Sequence, residues 1–152
     1  MSIEDFTEFV DNWNYWDDPT TQDYQIENHL GTTDIAFSPS VISNAIVSVQ
    51  ATKHISFDVV TNYVGRQYID NTASLERSLD PYFVNDALVK FSFQTSLARN
   101  IQFSARMNNV LDKMYVSNAW VYSYYYNNER GIDEGYFPQA GRNFMLNLTM
   151  KF

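Results

Sequence analysis

From Val41 to the C-terminus, apolar and polar side chains change places at every second position in five separate segments, a period that belongs to extended chain and not to helix. In the first segment Val41, Ala45, Val47, Val49 and Ala51 alternate with Asn44, Ser48, Gln50 and Thr52. In the second, Ile55, Phe57, Val59 and Tyr63 alternate with Ser56, Asp58, Asn62 and Arg66. The third sets Phe83, Ala87, Val89, Phe91, Phe93 and Leu97 against Asp86, Lys90, Ser92, Gln94 and Ser96. The fourth sets Ile101, Phe103, Ala105 and Met107 against Gln102, Ser104, Arg106 and Asn108. The last is the cleanest: Phe144, Leu146, Leu148, Met150 and Phe152 alternate with Asn143, Asn147, Thr149 and Lys151, with Met145 as its one lapse. An all-β fold follows, as an antiparallel meander of about five long strands.

Charges sharpen this reading. Asp58, Arg66, Asp70, Asp86, Lys90, Arg106 and Lys151 all fall on the polar parity of their segments. That is the placement expected if the apolar parity meets lipid, where an Arg or Lys at the bilayer midplane costs about 2–4 kcal/mol. Lys113 and Arg142 fall on the other parity but near strand ends, where a long side chain reaches an interface cheaply. The mean hydropathy of −0.36 does not conflict with a membrane site, because alternation hides apolar strands from a sliding window. No run of eighteen apolar residues offers a spanning helix, and the N-terminus lacks the basic and apolar regions of a signal peptide.

The connections alternate in length. Lys53–His54 and Leu97–Asn100 read as tight turns, whereas Asn71–Pro81 and Val116–Gly135 read as long loops, the asymmetry of short periplasmic turns and long extracellular loops in outer-membrane barrels. Residues 1–40 lack clear periodicity and read as an acidic extracellular loop segment, with residues 41–152 as the barrel strands. Before Lys53 there are nine acids and no Lys or Arg, while the rest of the chain carries nine acids and ten bases, so the net charge of −8 belongs to the first third. A nucleic-acid partner is not expected, since phosphate binding needs a basic patch.

Little in the sequence suggests catalysis. Zero cysteines remove thiolate nucleophiles, thiolate metal sites and disulfides, and His29 and His54 have no metal-ligand spacing. No Gly-rich phosphate loop and no G-x-S-x-G elbow occurs. Asp17 and Asp18 read as a solvated loop; the acidic stretch does not fit an EF-hand, although clustered carboxylates attract Ca²⁺. The expectation is a protein that is not an enzyme, with no cofactor and no metal centre. For ligand contact the best candidates are Trp120, Tyr122, Tyr124, Tyr125, Tyr126 and Arg130, whose aromatic faces and single cation can grip a sugar, siderophore or macrocycle. The same rings also suit an aromatic girdle at the outer interface, as do Tyr63, Tyr68, Tyr82, Tyr115 and Tyr136.

The tail Tyr136-Phe-Pro-Gln-Ala-Gly-Arg-Asn-Phe-Met-Leu-Asn-Leu-Thr-Met-Lys-Phe152 resembles the final strand of TonB-dependent receptors, and Asn108-Asn-Val-Leu-Asp-Lys-Met-Tyr115 is similar to an element on their penultimate strand. Tyr63-Val-Gly-Arg-Gln-Tyr-Ile-Asp-Asn-Thr72, Leu79-Asp-Pro-Tyr-Phe83 and Phe37-Ser-Pro-Ser-Val41 resemble receptors of the Bacteroidetes type. The resemblance implies a C-terminal segment of a transmembrane β-barrel of about 22 strands in the outer membrane. It implies active uptake of a scarce nutrient, with the siderophore-iron branch favoured by the tail. Phe144, Leu146, Leu148, Met150 and Phe152 would then be the signal read by the barrel-assembly machinery. The other partners would be outer-membrane lipid, a small-molecule ligand, and the remaining barrel and plug; TonB would be reached only through an N-terminal region not in this chain. Two alternatives stay open: a soluble β-sandwich binding module, and a non-functional receptor remnant.

Overall fold

In the computed structural model, which describes every residue except Asn128, alternating segments become paired strands because their side chains suit a pleated surface with two unlike faces. The chain runs β1 (Ser2–Asn12), a short helix α1 (Asn14–Asp17), β2 (Gln25–Asp34), β3 (Ile42–Gln50), β4 (Ile55–Val64) and β5 (Gln67–Tyr68). A single 3₁₀ turn (Leu75–Arg77) then leads to β6 (Ser78–Leu79), β7 (Tyr82–Phe93), β8 (Asn100–Asn108), β9 (Val116–Tyr126), β10 (Glu129–Pro138) and β11 (Asn143–Lys151). The protein is all-β, and its sheets are antiparallel apart from a two-residue parallel contact between β1 and β9.

The contacts divide the chain into two units that do not follow chain order. One comprises Met1–Ser40, Gly65–Pro81 and Val116–Pro138; the other comprises Val41–Val64, Tyr82–Tyr115 and Gln139–Phe152.

The second unit is an open five-stranded sheet in the order β11-β8-β7-β4-β3, so β11 and β3 are its edges. Its strands are 9 to 12 residues long. The register is unbroken. Val47 lies opposite Val59, then Ala87, Met107 and Phe144 across the sheet. The next row is Val49, Phe57, Val89, Ala105 and Leu146, and the one after it is Ile55, Phe91, Phe103 and Leu148. Directly opposed residues share a face, so the five alternating segments merge into one apolar surface. The five strands expected from periodicity are all present, with ends moved by a few residues. The tight turns close with local bonds: the Ala51 N–H donates to Ile55 O at 3.0 Å, and the Ala98 N–H donates to Thr95 Oγ1 at 3.0 Å.

The first unit holds a four-stranded sheet in the order β10-β9-β1-β2, with β5 and β6 as a separate small pair. Its apolar core is small. Ile69, Leu79 and Ala119 form a buried cluster on which Val116 and Val121 pack, and Val10 is buried as well.

Here the fold departs from the sequence reading. Residues 1–40, expected as an irregular loop, form the β1–β2 hairpin, and Val116–Gly135, also expected as a loop, forms most of the β9–β10 hairpin. Asn128 of that stretch lies outside the described residues. In β1 and β2 the alternation is broken by register shifts between Ile3 and Thr7, where Asp5 takes φ 55° and Gly31 takes φ 71°. A bulge moves side chains to the other face and erases a period-2 signal. In β9 the alternation is present, as Trp120, Tyr122, Tyr124 and Tyr126, but both parities carry large rings. Arg66 and Asp70, placed on the polar parity of the second strand, lie beyond its end at Val64. Lys113 and Arg142 also lie outside the strands.

Candidate functional site

The largest functional feature within the five-stranded unit is the contrast between its two faces. Phe57, Phe91, Phe103 and Leu148 are 44%, 43%, 48% and 48% exposed, although each lies within a paired strand and faces apolar residues across the ladder. On the opposite face Lys90 Nζ donates to Asp58 Oδ2 at 2.6 Å, and Arg106 Nη2 donates to Asp86 Oδ2 at 2.6 Å, with the two carboxylates only 14% and 13% exposed. A protein core is built the other way round, with apolar groups covered and charges in water. An exposed apolar surface this continuous marks a contact with something apolar.

The C-terminal strand continues the same face. Phe144, Leu146, Leu148 and Met150 project from one side of β11, and Phe152 follows the strand, all of them exposed. The residues suggested as an assembly signal therefore stand in one row on a sheet edge, whose inner side pairs with β8 and whose outer side meets no further strand among the described residues.

The Asn108–Tyr115 segment has a structural role that spacing alone did not reveal. The buried Asn109 side chain accepts from the Lys113 N–H at 2.9 Å and donates to Lys113 O at 2.9 Å and Ala140 O at 3.3 Å. Asp112 Oδ1 accepts from the Arg142 N–H at 2.7 Å. Tyr115 O accepts from the Gln139 N–H at 2.9 Å, and the Tyr115 ring packs on Tyr82 with centroids 4.4 Å apart. Asn109 and Asp112 take φ 50° and 54°, a left-handed conformation that Asn and Asp tolerate best after glycine. A Cβ at Gly141 would come within 2.8 Å of Asp112 Oδ1, so a side chain there would push the Asp112 carboxylate off its bond to the Arg142 N–H. These contacts clamp the end of β8 to the start of β11.

In the other unit the six proposed ligand-contact residues separate into two faces. Tyr124 stacks on Trp13 at 4.0 Å and 11°, and the Trp13 Nε1–H donates to the Tyr122 hydroxyl at 3.2 Å, which itself donates to Asp11 Oδ2 at 2.9 Å. Trp120 and Tyr126 share the parity of this pair and are exposed. Opposite Tyr124 and Trp120 in the ladder stand Gly131 and Gly135, where an added Cβ would overlap the Tyr124 and Trp120 rings. Those glycines let the rings lie across the neighbouring strand. Tyr125 and Arg130 face the other way, with the guanidinium 5.9 Å from the ring centroid. The cation is not free for a ligand: Arg130 makes two hydrogen bonds to the Glu8 carboxylate and a third, 3.0 Å long, to Ser123 Oγ. Trp13 and Asp11 are the partners that the sequence reading left out.

Glu8 also accepts from Arg77 Nη1 at 3.0 Å, and Arg77, itself buried, donates to Asp70 Oδ2 at 2.7 Å. Two carboxylates and two guanidiniums thus tie β1, β10 and the segment between β5 and β6 together without net charge. Burial pushes the Glu8 carboxyl upward, but the hydrogen bonds and charges of Arg130 and Arg77 outweigh it and hold it below the usual carboxylate value. Arg130 is raised in turn, first by its hydrogen bond to Glu8. The histidines serve as hydrogen-bonding side chains: His29 Nδ1 lies 2.8 Å from Thr7 Oγ1, and His54 Nδ1 lies 2.8 Å from Ser92 O. Among the described residues no cluster of His, Asp and Glu has metal-binding geometry, and no helix is long and apolar enough to cross a membrane.

Compared with known proteins, the chain matches no family model and no curated protein.

Two outcomes test these assignments. Asn109→Ala leaves the Lys113 amide and two carbonyls without partners, a loss of about 1–3 kcal/mol for a buried group; faster hydrogen exchange at Lys113 reports it, and unchanged exchange refutes the clamp. Because the Glu8 carboxyl is depressed in the folded state, its contribution is complete above the unfolded value of 4.5 and fades as pH falls through the lower folded value. An acid titration followed by Trp fluorescence should therefore show loosening of the first unit below pH 4.5, and Glu8→Gln should flatten that part of the curve.

Proposed function

We propose that this chain forms part of the wall of a TonB-dependent outer-membrane receptor, contributing five transmembrane strands and extracellular loops for active uptake of a scarce nutrient. The observation that carries this reading is the inverted sheet: exposed apolar rows on one face, and ion-paired charges on the other. Strands of 9 to 12 residues fit the roughly 9–11 residues that a tilted strand needs to cross the hydrocarbon layer. The connections between β3 and β4 and between β7 and β8 are short, whereas those leaving the other end of the sheet, residues 65–81 and 109–142, are long. On this reading β3, β4, β7, β8 and β11 face acyl chains through the Val47, Phe57 and Phe91 rows, and the long connections are extracellular loops. The chain has no catalytic role; its substrate class follows from the resemblance of the tail, which favours siderophore-bound iron.

Strand direction supports a partial wall that another polypeptide segment completes. Five antiparallel strands leave β3 and β11 running the same way, and open edges do not persist in hydrocarbon. A closed, wholly antiparallel barrel has an even number of strands. The complement therefore supplies an odd number, roughly seventeen in a barrel of about 22. Copies of this chain alone close only through parallel seams. A soluble sandwich would instead cover the Phe and Leu rows with a second layer.

Leu148→Arg puts a cation on the apolar face of β11, at a cost of about 2–4 kcal/mol in the bilayer, while Asn147→Arg puts it on the polar face. In flotation with phospholipid vesicles, where the apolar face can partition into the bilayer without a closed barrel, the first variant should lose vesicle-bound protein by at least tenfold and the second should keep it. Equal behaviour of the two, or a wild-type chain that stays monomeric in buffer without detergent, would sink the proposal.

A further inference from the structure

The cations of the five-stranded unit sort by position. Lys90 and Arg106, within the strands, each pair with a carboxylate. Among the described residues the side chains of Lys53, Arg99, Lys113, Arg142 and Lys151, at strand ends and in connections, make no ion pair or hydrogen bond. Two of these five are brought together by bonds to the backbone. The Asn109 side chain holds both the N–H and the C=O of Lys113, and Asp112, the residue before it, accepts from the Arg142 N–H at 2.7 Å. We propose that Lys113 and Arg142 hold the phosphate of one anionic lipid, whose acyl chain lies along the apolar face of the sheet.

Charge, surroundings and depth each point to that occupant. In residues 109–115 and 139–143 two cations stand against one acid, Asp112, which leaves a charge of +1. Asp86, which accepts from the Asn109 N–H at 3.0 Å, is already paired with Arg106. A guanidinium presents paired N–H donors that match a phosphate, and a Lys ammonium adds a point charge. A soluble anion would need nothing more. Here, though, Leu111 and Met114 lie on either side of Lys113 in sequence and are 64% and 70% exposed, and Met107 opposes Phe144 in the exposed row that begins two residues after Arg142. Further along the strands an apolar cleft of about 430 Å³ opens beside the small side chain of Ala105, lined also by Val89, Phe91, Phe103, Leu146 and Leu148. Leu146 is four residues from Arg142, about 13 Å of extended chain. That depth falls within the roughly 15 Å of hydrocarbon in one leaflet, half of the bilayer core. Head and tail of a lipid thus meet complementary surface on one line down β11.

A lipid here presupposes the proposed membrane reading. Because the long connections leave this end of the sheet, that reading places the lipid in the outer leaflet.

The whole chain is floated with vesicles of phosphatidylcholine alone and with vesicles of equal parts phosphatidylcholine and phosphatidylglycerol, and the readout is the anionic-to-neutral ratio of partition coefficients. Lys113→Gln combined with Arg142→Gln should lower this ratio about 25-fold, since one cation at an anionic surface is worth about fivefold. Lys53→Gln combined with Lys151→Gln changes the net charge equally, but those residues stand at opposite edges of the sheet, where no single headgroup reaches both. That pair should lower the ratio by no more than about fivefold. Asp112→Asn keeps an oxygen for the Arg142 N–H while removing the acid, and should raise the ratio. Hydrogen exchange at Lys113 reports whether the clamp persists in each variant, and Asp112→Asn keeps the result readable if the double variant loosens it. Equal loss in both double variants, or a ratio unmoved by Asp112→Asn, overturns the lipid site; binding of the wild-type chain to phosphatidylcholine vesicles then leaves the membrane reading standing. Failure to float with either vesicle sinks the membrane reading and the lipid site together.

Discussion

The hydrogen-bonded register of the five-stranded sheet is the constraint on which the rest depends. Each backbone N–H and C=O must meet a partner on the neighbouring strand, and side chains alternate faces with a period of two. A slip of one residue between β7 and β8 would send Phe103 to the side of Asp58 and Lys90, and Arg106 to the side of Phe91. The unbroken ladders from Ile42 to Lys151 exclude that slip at every interface. Segregation of lipid-like and water-like chemistry is thus a property of pairing, and no single side chain carries it.

The other unit is held by different means. With a core of only a few buried apolar residues, it relies on polar closure: Glu8 between Arg77 and Arg130, Asp70 on Arg77, and Asn71 Oδ1 accepting from the Ala36 N–H at 2.7 Å. Paired charges of this kind contribute modestly when half-exposed, but leaving one of them unpaired in a buried position is costly. Such a network fixes which segments meet, and so it can hold hairpins together where hydrophobic burial is too small to select an arrangement. The stacked Trp13 and Tyr124 rings, with Tyr122 bonded to Asp11, do the same on the opposite face of that sheet.

The Asn109 clamp depends on one buried amide, fully engaged in turning the chain from β8 toward β11. An amide is suited to that task because it is uncharged and carries donors and an acceptor. On the polar face of the sheet Lys90 is paired with Asp58, Arg106 with Asp86, and Asn108 with Asn143, so the bonds that run across the strands are side-chain as well as backbone ones.

Periodicity determined the five strands, their antiparallel order and the two faces, because side-chain alternation and the placement of Asp58, Lys90 and Arg106 depend only on position along an extended chain. The hairpins of residues 2–34 and 116–138 were not legible, because the bulges near Asp5 and Gly31 break the period and the rings of β9 occupy both parities. Nor did spacing indicate that Arg130 would belong to Glu8, 122 residues away, or that Tyr124 would stack on Trp13. The sequence by itself settled local geometry and face; tertiary structure alone decided partnership, since ion pairs and ring stacks are fixed by which distant strands come into register.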